Sequence, residues 1–191
     1  MHSESFAIFS SPSESYQEAK DRLTEYLQQE SEPFILVGLS LGGVLALELS
    51  SQDLPQLKGL VLSGTQYKLN TNLLYRLQIL LFRLIPKRVF EKQGANKQHM
   101  LQIFTELKSL NLTDTAKTCP LTSLVICGSK DRANQASSKK LANLLPKGHY
   151  LEIVDGGHTL NTQKPNELAQ AIKEFVGEFK NEEASFKNSS S

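Results

Sequence analysis

The segment that most constrains this chain is residues 34–43, which reads FILVGLSLGG. Its apolar start predicts a buried strand, and the apolar run that follows at residues 41–49 predicts a helix packed on a sheet. Ser40 therefore falls where the chain turns sharply from strand to helix. Glycines two residues before and after the serine permit close backbone approach and a positive φ at Ser40. The alternative interpretation is a glycine-rich turn that only packs a helix against a strand.

Short apolar runs alternate with longer helical patterns along the rest of the chain. Near-continuous apolar runs are typical of strands that are buried on both faces of a parallel sheet. Ser13 or Ser15 can cap the first helix, and Pro165 stands at the start of the last one. The alternation predicts an α/β fold with a mostly parallel sheet flanked by helices. The five predicted strands are residues 6–9, 34–37, 60–62, 121–127 and 150–154.

Roughly fifty residues separate the third and fourth predicted strands, far more than a crossover helix needs. We interpret residues 67–112 as a helical lid insertion, with helices at 73–85 and near 97–107. The core then comprises residues 1–66 and 113–180, and residues 181–191 form a disordered tail.

The insertion begins with a basic stretch, from Lys68 to Lys97, which holds seven basic residues and one acid. This pattern favours the solvated face of a helical lid. The alternative is a basic amphipathic helix that contacts a membrane or an acidic ligand.

Charge and hydropathy narrow the classes of partner. The 191 residues include 21 Lys+Arg and 20 Asp+Glu, for a net charge of +1. This balance supplies no long-range field for capturing nucleic acid or an anionic membrane. The apolar runs fall far short of the roughly 20 residues that span a bilayer. The first residues show no signal peptide, so we expect a cytoplasmic protein.

Two cysteines, Cys119 and Cys127, are too few for a disulfide framework, and we expect both to be free thiols. A metal site at His149, Asp155 and His158 is disfavoured, because their spacing fixes no coordination geometry.

A serine hydroxyl needs a histidine base and an orienting carboxylate to act as a nucleophile at neutral pH. Asp131 follows the fourth predicted strand and His158 follows the fifth, so both are expected at the same sheet edge as Ser40. Taken singly, Asp131 fits a turn or capping residue and His158 fits a surface loop histidine. Their joint placement favours a catalytic triad. Asp155, three residues before His158, is the first alternative carboxylate.

The order Ser40, Asp131, His158, with GLSLGG at the turn, CGSKD after one strand and GGH after the next, resembles the α/β-hydrolase superfamily. The resemblance spans residues 6–179, and the insertion falls where this family carries its helical lid. It implies Ser40 as nucleophile, His158 as general base and acid, and Asp131 as the orienting partner. The backbone N–H of Leu41 is implied as one oxyanion donor. Branches that resemble dehalogenases and epoxide hydrolases place an aspartate at this turn instead.

Members of the superfamily also carry an earlier strand, ending in a His-Gly loop that donates the second oxyanion N–H. The sequence contains no such segment before residues 6–9. Loss of one donor lowers the rate about 10²- to 10³-fold, and loss of a central strand exposes an apolar edge. We expect either a truncated N-terminus, which we favour, or a decayed hydrolase. An unpaired edge beside residues 34–37 is therefore predicted.

The resemblance implies a serine hydrolase that cleaves a small carboxylic ester or related acyl compound through an acyl-enzyme intermediate. This chemistry requires no cofactor and no metal, and the expected partner is a small-molecule acyl substrate. The apolar insertion favours an apolar acyl group. The alternative, motivated by the missing oxyanion segment, is a non-catalytic ligand-binding or interaction module built on the same fold.

Overall fold

The computed structural model describes residues 3–11, 13–69, 86, 88 and 96–189, with the side chains of residues 178 and 180–189 excepted. In these residues one parallel sheet is flanked by helices, which confirms the predicted α/β class. Four strands pair in chain order: β1 (Phe34–Leu39), β2 (Leu57–Ser63), β3 (Thr122–Gly128) and β4 (Gly148–Ile153).

Helices of the described residues cover both faces of the sheet. Successive residues of β2 are fully buried on opposite sides, since Leu60 and Leu62 join one apolar cluster and Val61 joins the other. This two-sided burial explains why the central strands β2 and β3 read as continuous apolar runs. The helices are α1 (Tyr16–Gln28), α2 (Leu41–Leu49), α3 (Lys97–Leu107), α4 (Thr113–Thr118), α5 (Gln135–Leu144), α6 (Leu160–Gln163) and α7 (Pro165–Ser189).

The strand predicted at residues 6–9 is wrong, because this segment pairs with no strand of the described sheet. Its side chains still pack on the core, through Ile8 and Phe9. A side chain from α1 satisfies its backbone instead, since Arg22 Nη2 donates to the Ile8 carbonyl at 2.7 Å. Arg22 also pairs with the buried Glu14 at 2.8 Å, and Glu14 in turn accepts from the Ser10 N–H. The apolar run at residues 6–9 thus forms no strand, and side-chain contacts hold it against the core.

Strand β1 lies at an edge of the sheet and pairs only with β2 among the described residues. Val37 in this strand is 41% exposed, an unusual level for an apolar strand residue. Within the described residues the edge beside residues 34–37 is therefore unpaired, as expected.

The two ends of the insertion are joined by backbone hydrogen bonds. The Leu112 N–H donates to Tyr67 O at 2.7 Å, and the Leu69 N–H donates to Leu110 O at 2.9 Å. Helix α3 forms where the sequence predicts it and buries Ile103 in the core. The helix predicted at 73–85, and most of the basic stretch, lie outside the described residues.

The C-terminal helix α7 begins at Pro165, as predicted. It continues to Ser189, through the segment where the sequence predicts a disordered tail. None of the helices in the described ranges is long and apolar enough to cross a bilayer.

Candidate active site

The turn between β1 and α2 holds Ser40 in a strained backbone conformation. Its φ of 53° and ψ of −112° lie in a region that costs a residue with a side chain about 1–3 kcal/mol. The strained turn is fixed to the sheet, because the Ser40 N–H donates to Ser63 O at 2.7 Å. Such strain persists only where the surrounding structure determines it, and it is typical of functional sites.

Two glycines make this turn possible by close approach. A Cβ on Gly38 would lie 2.3 Å from the Gly42 carbonyl oxygen, so strand and helix touch through their backbones. A Cβ on Gly43 would lie 1.9 Å from Thr65 Oγ1. Gly42 is different, since its Cβ would meet only Ile8 at an ordinary 3.6 Å.

The structure brings Ser40, Asp131 and His158 together at the carboxyl edge of the sheet. His158 Nε2 lies 3.0 Å from Ser40 Oγ, and His158 Nδ1 lies 2.8 Å from Asp131 Oδ2. The Asp131 side chain is 5% exposed, whereas that of His158 is 43% exposed. A buried carboxylate therefore holds the inner edge of an imidazole whose outer nitrogen faces the serine.

The alternative carboxylate, Asp155, is occupied elsewhere. Its side chain is 64% exposed and pairs with Lys130 at 2.9 Å. Its backbone N–H donates to the hydroxyl oxygen of Ser129 at 2.8 Å. Asp131 is therefore the carboxylate that orients His158 in this geometry.

Asp131 and His158 shift each other's pKa. Burial by itself raises the pKa of Asp131, but hydrogen bonds from His158 and Asn134 outweigh it and hold the pKa below its ordinary value. The hydrogen bond to Asp131 raises the pKa of His158 above its ordinary value, against the opposing effect of burial. Ionised Asp131 thus increases the basicity of the imidazole that faces Ser40.

The Leu41 N–H, implied as an oxyanion donor, is the first amide of α2. A helix offers no internal acceptor to its first amides. The next turn is closed by Gly43 and Val44, whose N–H groups donate to Ser40 O at 3.1 and 3.2 Å. The Leu41 amide takes no part in these hydrogen bonds of the turn, and it directly follows Ser40 in the chain.

Three further residues support the base and its carboxylate, two by lying against them and one through Asn134, and the sequence analysis missed all of them. Asn134 Nδ2 lies 2.9 Å from both Asp131 carboxylate oxygens, and Gln66 donates to Asn134 Oδ1 at 2.7 Å. Gly64, with a φ of +58°, backs the His158 ring. Only the position of Asn134 three residues after Asp131 could have drawn attention to it. Gln66 and Gly64 follow β2 and belong to no motif.

Comparison with known proteins bears on the fold and the family of the chain. Several solved structures resemble the chain. A hydrolase from Pseudomonas aeruginosa PA01 matches with a TM-score of 0.71 and 17% identity, over 84% of this chain and 71% of that one. A thermophilic esterase from Thermogutta terrifontis matches with a TM-score of 0.71 and 18% identity, over 85% and 72%. An enol-lactonase from Burkholderia xenovorans LB400 matches with a TM-score of 0.69 and 16% identity, over 87% and 74%.

At these identities the solved structures establish the fold alone. No curated protein matches the chain in sequence at a significant level. The model of the alpha/beta hydrolase family, however, matches residues 8–171, which include all three converging side chains. The chain belongs to the alpha/beta hydrolase family.

Proposed function

We propose that this protein is a serine hydrolase that cleaves a small carboxylic ester or related acyl compound through an acyl-enzyme intermediate. The observation that carries the proposal is the continuous path from Asp131 through His158 to Ser40, with contacts of 2.8 and 3.0 Å. The strained φ of Ser40 supports it, because it lifts the hydroxyl out of the helix that follows.

In the first half-reaction, Ser40 Oγ bonds to the acyl carbon while its proton passes to His158 Nε2. The carbonyl electrons move onto oxygen, and the Leu41 N–H stabilises the resulting oxyanion. When the oxyanion collapses, the bond from the acyl carbon to the alcohol oxygen breaks. His158 then returns the proton to the departing alcohol, which leaves the acyl group on Ser40.

In the second half-reaction, water replaces the alcohol. His158 takes a proton from water as its oxygen bonds to the acyl carbon, and Ser40 Oγ leaves with the proton that His158 returns. Asp131 stays ionised throughout and stabilises the imidazolium that forms twice in the cycle. The depressed pKa of Asp131 and the raised pKa of His158 both fit these roles.

Two of the similar structures carry names that refer to ester bonds, since one is an esterase and the other an enol-lactonase. Their low identity leaves the acyl substrate of this chain to direct measurement. The apolar composition of residues 67–112 favours a substrate with an apolar acyl group. The central residues of this insertion lie outside the described ranges.

A second candidate is a non-catalytic module that binds a ligand at the same site. One observation favours it: the edge of β1 is unpaired in the described sheet, on the side where superfamily members carry the strand with the second oxyanion donor. With a single donor, hydrolysis is expected to be slow rather than absent.

A fluorophosphonate probe separates the two candidates, because it modifies only an activated serine. The wild-type protein is expected to be labelled at Ser40, as located by peptide mass spectrometry. Ser40→Ala and His158→Gln are expected to abolish labelling. The matched control is Ser50→Ala, at the far end of the same helix, which should label like wild type. A folded wild-type protein that stays unlabelled while binding acyl ligands would favour the non-catalytic module.

A further inference from the structure

Asn134 occupies the N-cap position of α5 without capping it. Asparagine is favoured at this position because its side-chain oxygen accepts hydrogen bonds from the first amides of a helix. Asn96 does so for α3, accepting from Gln98 N at 2.9 Å and His99 N at 3.3 Å. Asn134 makes no side-chain bond to its own helix, and it is only 7% exposed. Helix capping therefore does not explain its side chain.

The side chain of Asn134 is instead held between Asp131 and Gln66. Its Nδ2 lies 2.9 Å from both carboxylate oxygens of Asp131, and its Oδ1 accepts from Gln66 Nε2 at 2.7 Å. The opposite orientation would turn the amide oxygen towards a carboxylate, and neither of these groups has a proton to donate. The Asp131 carboxylate thus selects the orientation of the amide, and Gln66 donates to the Asn134 Oδ1 in that orientation.

This orientation bears on which nitrogen of His158 carries the proton. Nδ1 has two near neighbours, Asp131 Oδ2 at 2.8 Å and Asn134 Nδ2 at 3.1 Å. Asn134 Nδ2 can only donate, so it would bond to Nδ1 only in the tautomer with the proton on Nε2. That tautomer cannot take the Ser40 proton. When the carboxylate engages the Asn134 N–H groups, Nδ1–H remains directed at Asp131.

We propose that Asn134 is a positioning residue, which keeps the Asp131 carboxylate in line with Nδ1–H of His158, and that Gln66 fixes the direction of its amide. The inference rests on the proposed hydrolase function. It concerns the orientation of the base, however, so it can also be measured without turnover.

The test compares the same substitution at two helix N-caps, Asn134→Asp and Asn96→Asp. Aspartate caps as well as asparagine does, so a capping role predicts that both changes are silent. A positioning role predicts that Asn134→Asp alone lowers kcat, by about 10- to 100-fold at the pH plateau, with KM unchanged. The acid limb of kcat/KM should also move to higher pH, because a second carboxylate beside His158 stabilises the imidazolium.

Asn134→Leu is the second variant, since it removes the donor without adding charge. We expect a similar loss of kcat, whereas Asn96→Leu should lower the melting temperature and leave kcat unchanged. Among the described residues the charged neighbour of His158 is Asp131, while Lys130 and Asp155 pair with each other at 2.9 Å. A shift in the pH profile can therefore be assigned to the substituted site.

Imidazole ¹⁵N NMR of His158 supplies the readout that is independent of turnover. Wild type should show the tautomer protonated at Nδ1, and both Asn134 variants should show a changed tautomer population or a raised pKa. Wild-type values of kcat, pH limb and His158 titration in both variants would overturn the proposal. If wild type shows no turnover that depends on Ser40, the proposed function is wrong, and the NMR comparison alone decides the positioning role.

Discussion

Gly64 lies against the face of His158 with no room for a side chain. A Cβ on Gly64 would lie 3.0 Å from His158 Nδ1, 3.1 Å from Cε1 and 3.4 Å from Asp131 Oδ2. The φ of Gly64, +58°, is itself one that glycine adopts readily and other residues resist. A side chain at residue 64 would therefore press on the imidazole.

Gly64→Ala is expected to displace the imidazole by a few tenths of an ångström and to lower kcat/KM by roughly 10- to 100-fold, because a small misplacement of a base is costly. The positive φ should also lower the free energy of unfolding by about 1–2 kcal/mol. Ester-hydrolysis kinetics and urea unfolding measure the two effects.

Gly177→Ala in α7 is the matched control, since nothing lies within 4 Å of its Cβ position. This change should stabilise the helix by about 0.5–1 kcal/mol and leave kcat/KM unchanged. Equal kcat/KM for Gly64→Ala and wild type would contradict the close packing of Gly64 on the base.

The pH dependence of the reaction should report the contact between Asp131 and His158. Only neutral His158 accepts the Ser40 proton, so kcat/KM should fall as the pH drops through the raised pKa of His158. The midpoint of this acid limb is expected above the ordinary histidine value of about 6.5. Asp131→Asn removes the charge that raises the pKa, so the limb should move to lower pH.

The same Asp131→Asn variant is expected to lose about 10⁴-fold in kcat at the plateau, because the amide favours the wrong imidazole tautomer. Asp155→Asn is the control, since Asp155 pairs with Lys130 and not with His158. If Asp155→Asn, and not Asp131→Asn, moves the acid limb of kcat/KM, Asp155 is the carboxylate that orients His158.

The two adjacent glycines after Ser40 should differ in their tolerance of alanine. At Gly42 a Cβ meets only Ile8 at 3.6 Å, so Gly42→Ala should keep the native stability within about 1 kcal/mol. At Gly43 a Cβ would lie 1.9 Å from Thr65 Oγ1, so Gly43→Ala should cost about 1–3 kcal/mol or more. Urea unfolding of the two variants tests this difference. Equal unfolding midpoints would disprove the tight contact between α2 and Thr65.

The ion pair of Glu14 and Arg22 should make stability depend on pH in the acid range. The hydrogen bond from Arg22 is the main reason that the pKa of Glu14 falls from 4.5 to about 2, against the opposing effect of burial. A depressed folded-state pKa contributes stability above about pH 4.5, and this stability is lost as the pH falls towards 2. Glu14→Gln should therefore lower stability at pH 7 and flatten the stability profile between pH 4.5 and 2.

Urea unfolding at a series of pH values measures this effect. Asp114→Asn is the control, because Asp114 is 96% exposed and its ion pair with Lys117, at 3.8 Å, is expected to contribute little. An acid profile for Glu14→Gln that runs parallel to wild type would mean that the ion pair of Glu14 and Arg22 does not stabilise this segment.

Local features of the sequence were enough to predict most of the elements. The turn at Ser40 follows from an apolar strand, two glycines and an apolar helix that are adjacent in the chain. Four of the five predicted strands are present. The central strands β2 and β3 are buried on both faces and therefore leave continuous apolar runs, whereas the outer strands β1 and β4 are partly exposed. The cap of α1 is equally local, since Ser15 and Glu18 bond reciprocally within one turn.

Tertiary structure decided whatever depends on a partner distant in sequence. Residues 6–9 carry a strand-like pattern, but they pair with no described strand, although the outer edge of β1 is unpaired among the described residues, and Arg22 bonds to their backbone instead. The support around His158 comes from Gly64, Gln66 and Asn134, which lie after two different strands and meet only once the sheet is assembled. A hydrogen bond across 68 residues, as between Gln66 and Asn134, leaves no periodic trace in the sequence, because its geometry is set by the strands that separate and align the two loops.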